Sequence, residues 1–475
     1  MSSPSGSTSG PPSDGPTIPN SPGAAIKGPV IHRQQSSGAI YSEVHLWAEA
    51  KLDVPIWSLS VSKSGILCGT DDGRVVLFDT NLMLCQTLHA HGSSSAVLTV
   101  QWSSDCLHFI SVGTTDKSVK VWSVEHFQNA PRKEAICLFD LPQLTPVIAA
   151  AFHPLTFAES SSQKSATVYI ITADRRIGVW TDGVVERYES LSSKDPPVCM
   201  AVSLSGIAAT SSKRSISSTT SSSSAPCLIA VGTKTGELLL YRHAPQGSIT
   251  FAASISCRNR RGKFSGGTPV AAVVWISDTE LLVSSQDNRI RLVRIVNKQG
   301  IFKKSASQNS ATLSNFSNIE LSLIDKFRGH TSSNGEAPLG GFLLRPPFAA
   351  PIIQCGSECG RVFVWPFLAE NKTKRPSLLQ RLKHSRAIKS GEYWYAVMGH
   401  DKLTAAAPAP WNPEKGQIGG SCTVTTSLEG YVRLFFNRNK DMFGRRRNSS
   451  SASVPPPELV PQENESLVDR ADSLI

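Results

Sequence analysis

The chain has 475 residues, 40% of them hydrophobic and 18% charged, and carries a formal net charge of +11. Its apolar stretches, such as Val147–Phe152, are far shorter than the ~20 residues of a membrane-spanning helix. The Ser/Pro/Gly-rich first forty residues contain no apolar core of a signal peptide. We therefore expect a soluble intracellular protein without a transmembrane segment, whose excess positive charge favours acidic partners.

Composition divides the chain into one central domain and two tails. Residues 1–41 and 438–475 are rich in Ser, Pro, Gly and charged residues, which predicts disordered N- and C-terminal tails. The segment between them, 42–437, contains the apolar strands and is expected to fold as a single domain.

One pattern recurs seven times in the central domain: an apolar strand, a short turn, and a second strand of alternating polarity. The second strands end on Phe78, Trp122, Trp180, Tyr241, Val293, Trp365 and Phe435. Six positions before these ends, at what we call the register position, stand Asp72, Asp116, Asp174, Thr235, Asp287, Cys359 and Glu429. Because Asp, Asn and Gly favour tight turns and alternation favours half-buried strands, each copy predicts a β-hairpin.

A third apolar strand precedes each hairpin, and a linking strand brings each unit to four. This organisation predicts an all-β fold, a seven-bladed WD40-type β-propeller, in which residues 43–52 pair with the last blade and close the ring. We expect the propeller to be monomeric. Segments 210–226, 300–318 and 369–392 are Ser- or Lys-rich and are predicted to be inserted surface loops.

The second unit has the full residue set of a WD-type repeat. In such repeats a histidine before the inner strand binds the aspartate of the turn, which assigns structural roles to His91, Asp116 and Trp122. The sixth and seventh units offer Cys359 and Glu429 instead of aspartate.

Three stretches resemble the WD repeat-containing protein 44 family. They are RNRRGKFSGGTPVAAVVWISDTELLVSSQDNRIRLVRI, then KFRGHTSSNG with CGSECGRVFVW, and then TAAAPAP with VTTSLEGYVRLFFNR. The resemblance implies a non-enzymatic scaffold in Rab-linked vesicle or endosomal trafficking, with a Rab-type GTPase or a membrane adaptor as partner. It also implies a cytoplasmic protein, peripheral on endosomal or Golgi membranes. In that family the GTPase-binding segment lies in a long region before the propeller, whereas 41 residues precede it here.

A basic stretch enters the fifth blade. Arg258, Arg260, Arg261 and Lys263 lie in the connection to the inner strand, and Arg289 lies in the turn of the same unit. We predict that these five cations share one rim and bind phosphate or carboxylate groups of a partner. The alternative is a solvated loop whose arginines bind neighbouring carbonyls or carboxylates. The sequence leaves both interpretations open.

The sequence contains no pattern that predicts an enzyme, a cofactor or a metal site. Gly262 and Lys263 lack the upstream glycine and the Ser/Thr of a phosphate-binding loop, and Cys355 and Cys359 are interpreted as strand and turn residues. The net charge leaves an RNA- or ribonucleoprotein-associated propeller as an alternative. The absence of aromatic residues among the arginines disfavours that alternative. Arg446 and Arg447 before Ser449 predict a phosphorylation site at Ser449 in the C-terminal tail.

Overall fold

The structure is a computed structural model of an all-β protein. It describes residues 41–125, 134–154, 156–157, 166–203, 227–244, 247–259, 266–297, 319–332, 339–345, 351–367, 392–396, 401–412 and 417–439. Within these ranges the chain forms seven four-stranded antiparallel sheets and no helix, and hence no helix able to cross a membrane. The predicted seven-bladed propeller is confirmed.

Each of the first four blades uses four strands in chain order from the centre outwards. Blade one contains β2 Ile56–Ser62, β3 Gly65–Thr70, β4 Arg74–Phe78 and β5 Leu84–His89. Blade two contains β6 Val97–Trp102, β7 His108–Gly113, β8 Ser118–Glu125 and β9 Glu134–Pro142. Blade three contains β10 Val147–Phe152, β11 Thr167–Thr172, β12 Arg176–Thr181 and β13 Val184–Ser190. Blade four contains β14 Pro197–Val202, β15 Cys227–Thr233, β16 Glu237–His243 and β17 Ile249–Ser256.

The last three blades complete the ring. Blade five contains β18 Val270–Ser277, β19 Glu280–Ser285, β20 Arg289–Asn297 and β21 Ile319–Arg328. Blade six contains β22 Gly341–Leu344, β23 Ile352–Gly356, β24 Arg361–Pro366 and β25 Glu392–Tyr395. Blade seven contains β26 Leu403–Asn412, β27 Gln417–Ser427 and β28 Tyr431–Asn439, and its outer strand is β1 Tyr41–Lys51.

The ring closes as the sequence predicted, because β1 pairs with β28 in an antiparallel register that opposes Glu49 to Arg433. This pairing removes the free edge that either strand would otherwise expose. The inserted loops fall outside the described residues, except that Glu392, placed at the end of the loop 369–392, begins β25. Both predicted tails lie almost wholly outside them as well.

The hydrophobic core lies between neighbouring blades. One cluster joins Leu238 and Leu240 of blade four to Leu281 and Val283 of blade five, and another joins blade five to blade six. Alternate residues of each strand therefore face opposite neighbours, as expected for a pleated sheet buried on both sides. In blade five, Val293 faces blade four, whereas Ile290 and Leu292 face blade six.

The turns between second and third strands lie on one face of the ring, which we call the turn face. The connections from one blade to the next reach the same face, where a backbone amide after the outer strand donates to a carbonyl of that blade's turn. Examples are His91 to Gly73, Leu191 to Arg175 and Cys257 to Gly236. The turn face thus collects the register-position residues and the residues that follow each outer strand.

Candidate functional site on the turn face

The predicted structural residues of blade two form one hydrogen-bonded chain. Trp122 Nε1 donates to Ser111 Oγ at 3.0 Å, and the Ser111 hydroxyl lies 2.8 Å from His91 Nε2. His91 Nδ1 lies 2.7 Å from Asp116 Oδ2. The network assigns the proton to Nδ1, so that His91 donates to Asp116 and accepts from Ser111. Three of these four residues follow from the repeat pattern of the sequence, whereas Ser111 does not.

Electrostatics supports a neutral His91 in this chain. Burial lowers the pKa of His91, although Asp116 acts in the opposite direction. Burial alone would raise the pKa of Asp116, but His91 and Ser95 outweigh it and hold that pKa below its usual value. Ser111 and His91 are buried and each satisfies the other's polar atoms, so this network stabilises the blade.

The other aspartates at the register position are also bound within their own surroundings. Thr70 Oγ1 donates to Asp72 at 2.6 Å, and Thr172 Oγ1 donates to Asp174 at 2.5 Å. Arg176 Nε donates to Asp174 at 2.6 Å. These carboxylates therefore stabilise the turns in which they lie.

Blade five replaces the histidine network with a buried arginine. Arg291 Nη1 donates to Asp287 Oδ1 and to Ser285 Oγ, each at 3.1 Å, and Nη2 donates to Asp287 Oδ2. Asn259, from the connection that enters the blade, donates to Asp287 Oδ2 at 2.8 Å. The planar guanidinium satisfies both carboxylate oxygens, as a buried ion pair requires.

The two described members of the predicted five-cation rim bind different carboxylates in different blades. Arg258 Nε donates to the Thr235 carbonyl at 2.8 Å, and its Nη2 lies 3.6 Å from Asp195. Arg289 Nη1 lies 3.7 Å from Asp287. For these two residues the contacts are those of the alternative interpretation, arginines bound to neighbouring carbonyls and carboxylates.

Arg260, Arg261 and Lys263 lie outside the described residues, as does Ser449. The five-cation rim as a whole therefore stays a prediction.

The outer half of blade five brings together cations that are distant in the sequence. In the antiparallel pair of β20 and β21, Arg289 is opposite Arg328, and Arg291 is opposite Lys326. Directly opposed residues share one face of a sheet, here the face that carries Val293 towards blade four. We call Arg289, Arg291, Lys326 and Arg328 the blade-five cation cluster.

The cluster is rich in positive charge and poor in counter-charge. Within the described ranges, Asp287 is the one carboxylate whose side chain forms an ion pair with it. Burial, followed by Arg291, Arg289 and Arg328, lowers the pKa of Lys326. Burial, followed by Arg328, lowers the pKa of Arg289. The Nε atom of Arg328 is buried without a hydrogen-bond partner among the residues described.

Equivalent positions in other blades show that this arrangement is specific to blade five. Four residues after the register position, blades two and seven also carry a cation, and an acid stands opposite in both. Lys120 faces Asp140 at 3.5 Å, and Arg433 Nε lies 2.5 Å from Glu49 Oε2. The other four blades carry uncharged residues there: Val76, Gly178, Leu239 and Phe363. Only Arg291 is opposed by another cation, Lys326.

Like charges directly opposite in a sheet destabilise it, whereas opposite charges stabilise it. A cluster of half-buried guanidinium and ammonium groups is suited to an anion, because charge-assisted hydrogen bonds strengthen when water is displaced. The signal in the sequence is cations at alternate positions in RIR (289–291) and KFR (326–328). It becomes informative only once the register of β20 against β21 is known.

Comparison with known proteins identifies one repeat. Residues 83–123 match the family model described as WD40, WD domain, G-beta repeat. The matched segment spans β5 to β8 and contains His91, Asp116 and Trp122. No curated protein sequence matches the chain, so the resemblance to the WD repeat-containing protein 44 family gains no support.

Proposed function

Because the fold and the matched repeat make this chain a WD40-type propeller, we propose that it is a non-catalytic scaffold that docks acidic protein partners on the blade-five cation cluster. The observation that carries the proposal is the opposition of Arg291 and Lys326, where blades two and seven pair a cation with an acid. An acidic side chain from a partner would supply the missing counter-charge.

The finer part of the proposal concerns the partner. We propose that the partner is a Rab-type GTPase or a membrane adaptor of vesicle trafficking. The chain would bind it in the cytoplasm, at the surface of endosomal or Golgi membranes. Support for it comes from the sequence resemblance in blades five to seven and from the basic character of the chain. The propeller itself supports only the broader role, because many unrelated functions share one fold.

Proximity labelling with matched charge-reversal variants tests the docking site. The test variant changes Arg289, Lys326 and Arg328 to Glu. The control changes Lys117, Arg175 and Lys194 to Glu, three exposed cations in turn-face loops of blades two and three, so that both variants alter the net charge equally. Acidic partners are expected to be lost in the test variant alone.

Two results would contradict the proposal. Equal partner lists from the two variants would show that the cluster does not dock proteins. Loss of the same partners after ribonuclease treatment would favour the RNA-associated alternative, whose binding should also weaken steeply as salt is raised. Recovery of acidic partners without any trafficking protein would remove only the trafficking part.

A further inference from the structure

We propose that the blade-five cation cluster binds the phosphate dianion of a phosphorylated serine or threonine on a partner protein. This inference rests on the proposed scaffold function and specifies the chemical group that the scaffold recognises.

The members of the cluster differ in burial and in hydrogen bonding, and this difference supports the inference. Arg291 is only 1% exposed and its donors are occupied by Asp287, Ser285 and Asn259. Arg289, Lys326 and Arg328 are half-buried, so they remain accessible. The 3.7 Å separation of Arg289 from Asp287 is the one ion pair found for these three in the described part of the chain.

A phosphate dianion matches these groups in charge and geometry. A phosphoserine carries about −1.5 to −2 charges at neutral pH and three acceptor oxygens. The guanidinium groups of the directly opposed Arg289 and Arg328 can bind such oxygens through paired donors, and Lys326, two residues before Arg328, supplies a compact charge beside them. A single carboxylate would leave the excess charge only partly balanced.

The surroundings disfavour two other phosphate sources. Peripheral membrane binding combines basic residues with apolar residues that enter the bilayer. Leu323 is the one exposed large apolar side chain in the described part of blade five.

RNA recognition uses aromatic stacking. Phe327 is buried between blades five and six, and Trp275 Nε1 donates to the Ala201 carbonyl. A peptide that places one phosphate against the blade-five cation cluster meets neither difficulty.

Fluorescence anisotropy on the full chain tests the inference. The probes are a degenerate peptide library with a central phosphoserine and two counterparts with serine or glutamate at that position. We expect the phosphoserine library to bind at least roughly tenfold more tightly than either counterpart, and inorganic phosphate to compete with it. Lys326→Glu should abolish the preference, while Lys194→Glu, which changes the same charge on an exposed loop, should retain it.

Several results would overturn the inference. Equal binding of phosphoserine and glutamate libraries would show that the cluster reads negative charge alone. Binding to vesicles containing phosphorylated inositol lipids, or to an RNA oligonucleotide, with no phosphoserine preference would assign the site to those ligands. Should Lys326→Glu fail to fold, Lys326→Gln provides the same comparison without a new charge.

Failure of this inference is distinguishable from failure of the proposed function. If proximity labelling depends on the cluster but phosphoserine is not preferred, the docking site stands and its ligand is carboxylate-based. If phosphoserine binds but labelled partners are unchanged, the site recognises phosphate without serving as the docking surface.

Discussion

Arg291 Nη1 donates to Asp287 Oδ1 at 3.1 Å, and both side chains are about 1% exposed. This buried pair contains the register-position aspartate, as the His91–Asp116 contact of blade two does. Arg291 and Asp287 therefore have a structural role. The remaining cations of the cluster face Arg291 and one another, and they are the groups available to a ligand.

Replacement of Asp287 tests the structural half of this arrangement. Asp287→Asn removes the carboxylate that balances buried Arg291, and we expect it to lower the free energy of unfolding by about 3–5 kcal/mol. Urea denaturation measures the change. The control is Asp140→Asn, which breaks the exposed pair with Lys120 and should cost less than about 1 kcal/mol. Equal effects of the two substitutions would refute the structural role of Asp287.

The hydrogen-bonded chain of blade two predicts that replacement of Ser111 lowers the stability of the protein. Ser111→Ala leaves His91 Nε2 and Trp122 Nε1 buried without their partner, which should destabilise the protein by about 1–3 kcal/mol. Thermal unfolding compares it with Ser93→Ala, an exposed serine in the neighbouring loop, where a change within about 0.5 kcal/mol is expected. A Ser111 variant as stable as the Ser93 variant would mean that the network contributes nothing.

The lowered pKa of buried His330 predicts that the stability of the protein depends on pH. Burial lowers the pKa of His330 from 6.5 to about 4, against the opposing effect of Asp287. The unfolded chain therefore binds the proton at a higher pH than the folded chain does. The resulting contribution to stability is present above pH 6.5 and is lost as the pH falls towards 4, by up to about 1.4 kcal/mol per pH unit.

The measurement is the urea midpoint between pH 7 and pH 4.5. His330→Leu should flatten the decline, and at pH 7 it should cost little, because both ring nitrogens lack a hydrogen-bond partner in the described residues. Replacement of exposed His89 by Leu serves as the control and should leave the profile unchanged. An unaltered slope in His330→Leu would remove this histidine from the pH dependence.

The sequence predicted the fold well because the repeat carries local signals. The turn at Asp116 and the alternation that ends on Trp122 follow from turn chemistry and strand periodicity, which need no tertiary information. Closure by β1 followed from the otherwise unpaired edge of β28.

The candidate site was predictable only in part. Arg289 was identified from its turn, but Lys326 and Arg328 are 37 and 39 residues further along the chain, and only the strand register opposes them to Arg291 and Arg289. Asn259 and Arg258 are adjacent in sequence yet bind in different blades, Asn259 to Asp287 and Arg258 to Asp195. Such choices depend on the geometry of the interface between two blades, which periodicity does not encode.

The most direct test of the central claim is the thermal midpoint of Lys326→Glu and of the wild type, measured in phosphate-free buffer and in excess inorganic phosphate. Lys326→Glu converts the pair with Arg291 into the cation–acid pair of blades two and seven, so without phosphate its midpoint should exceed that of the wild type. Phosphate should raise the wild-type midpoint alone, because ligand binding stabilises only the protein that binds it. A lower midpoint for Lys326→Glu without phosphate, or an equal rise of both midpoints with it, would contradict the claim that blade five holds its cations for an anionic ligand.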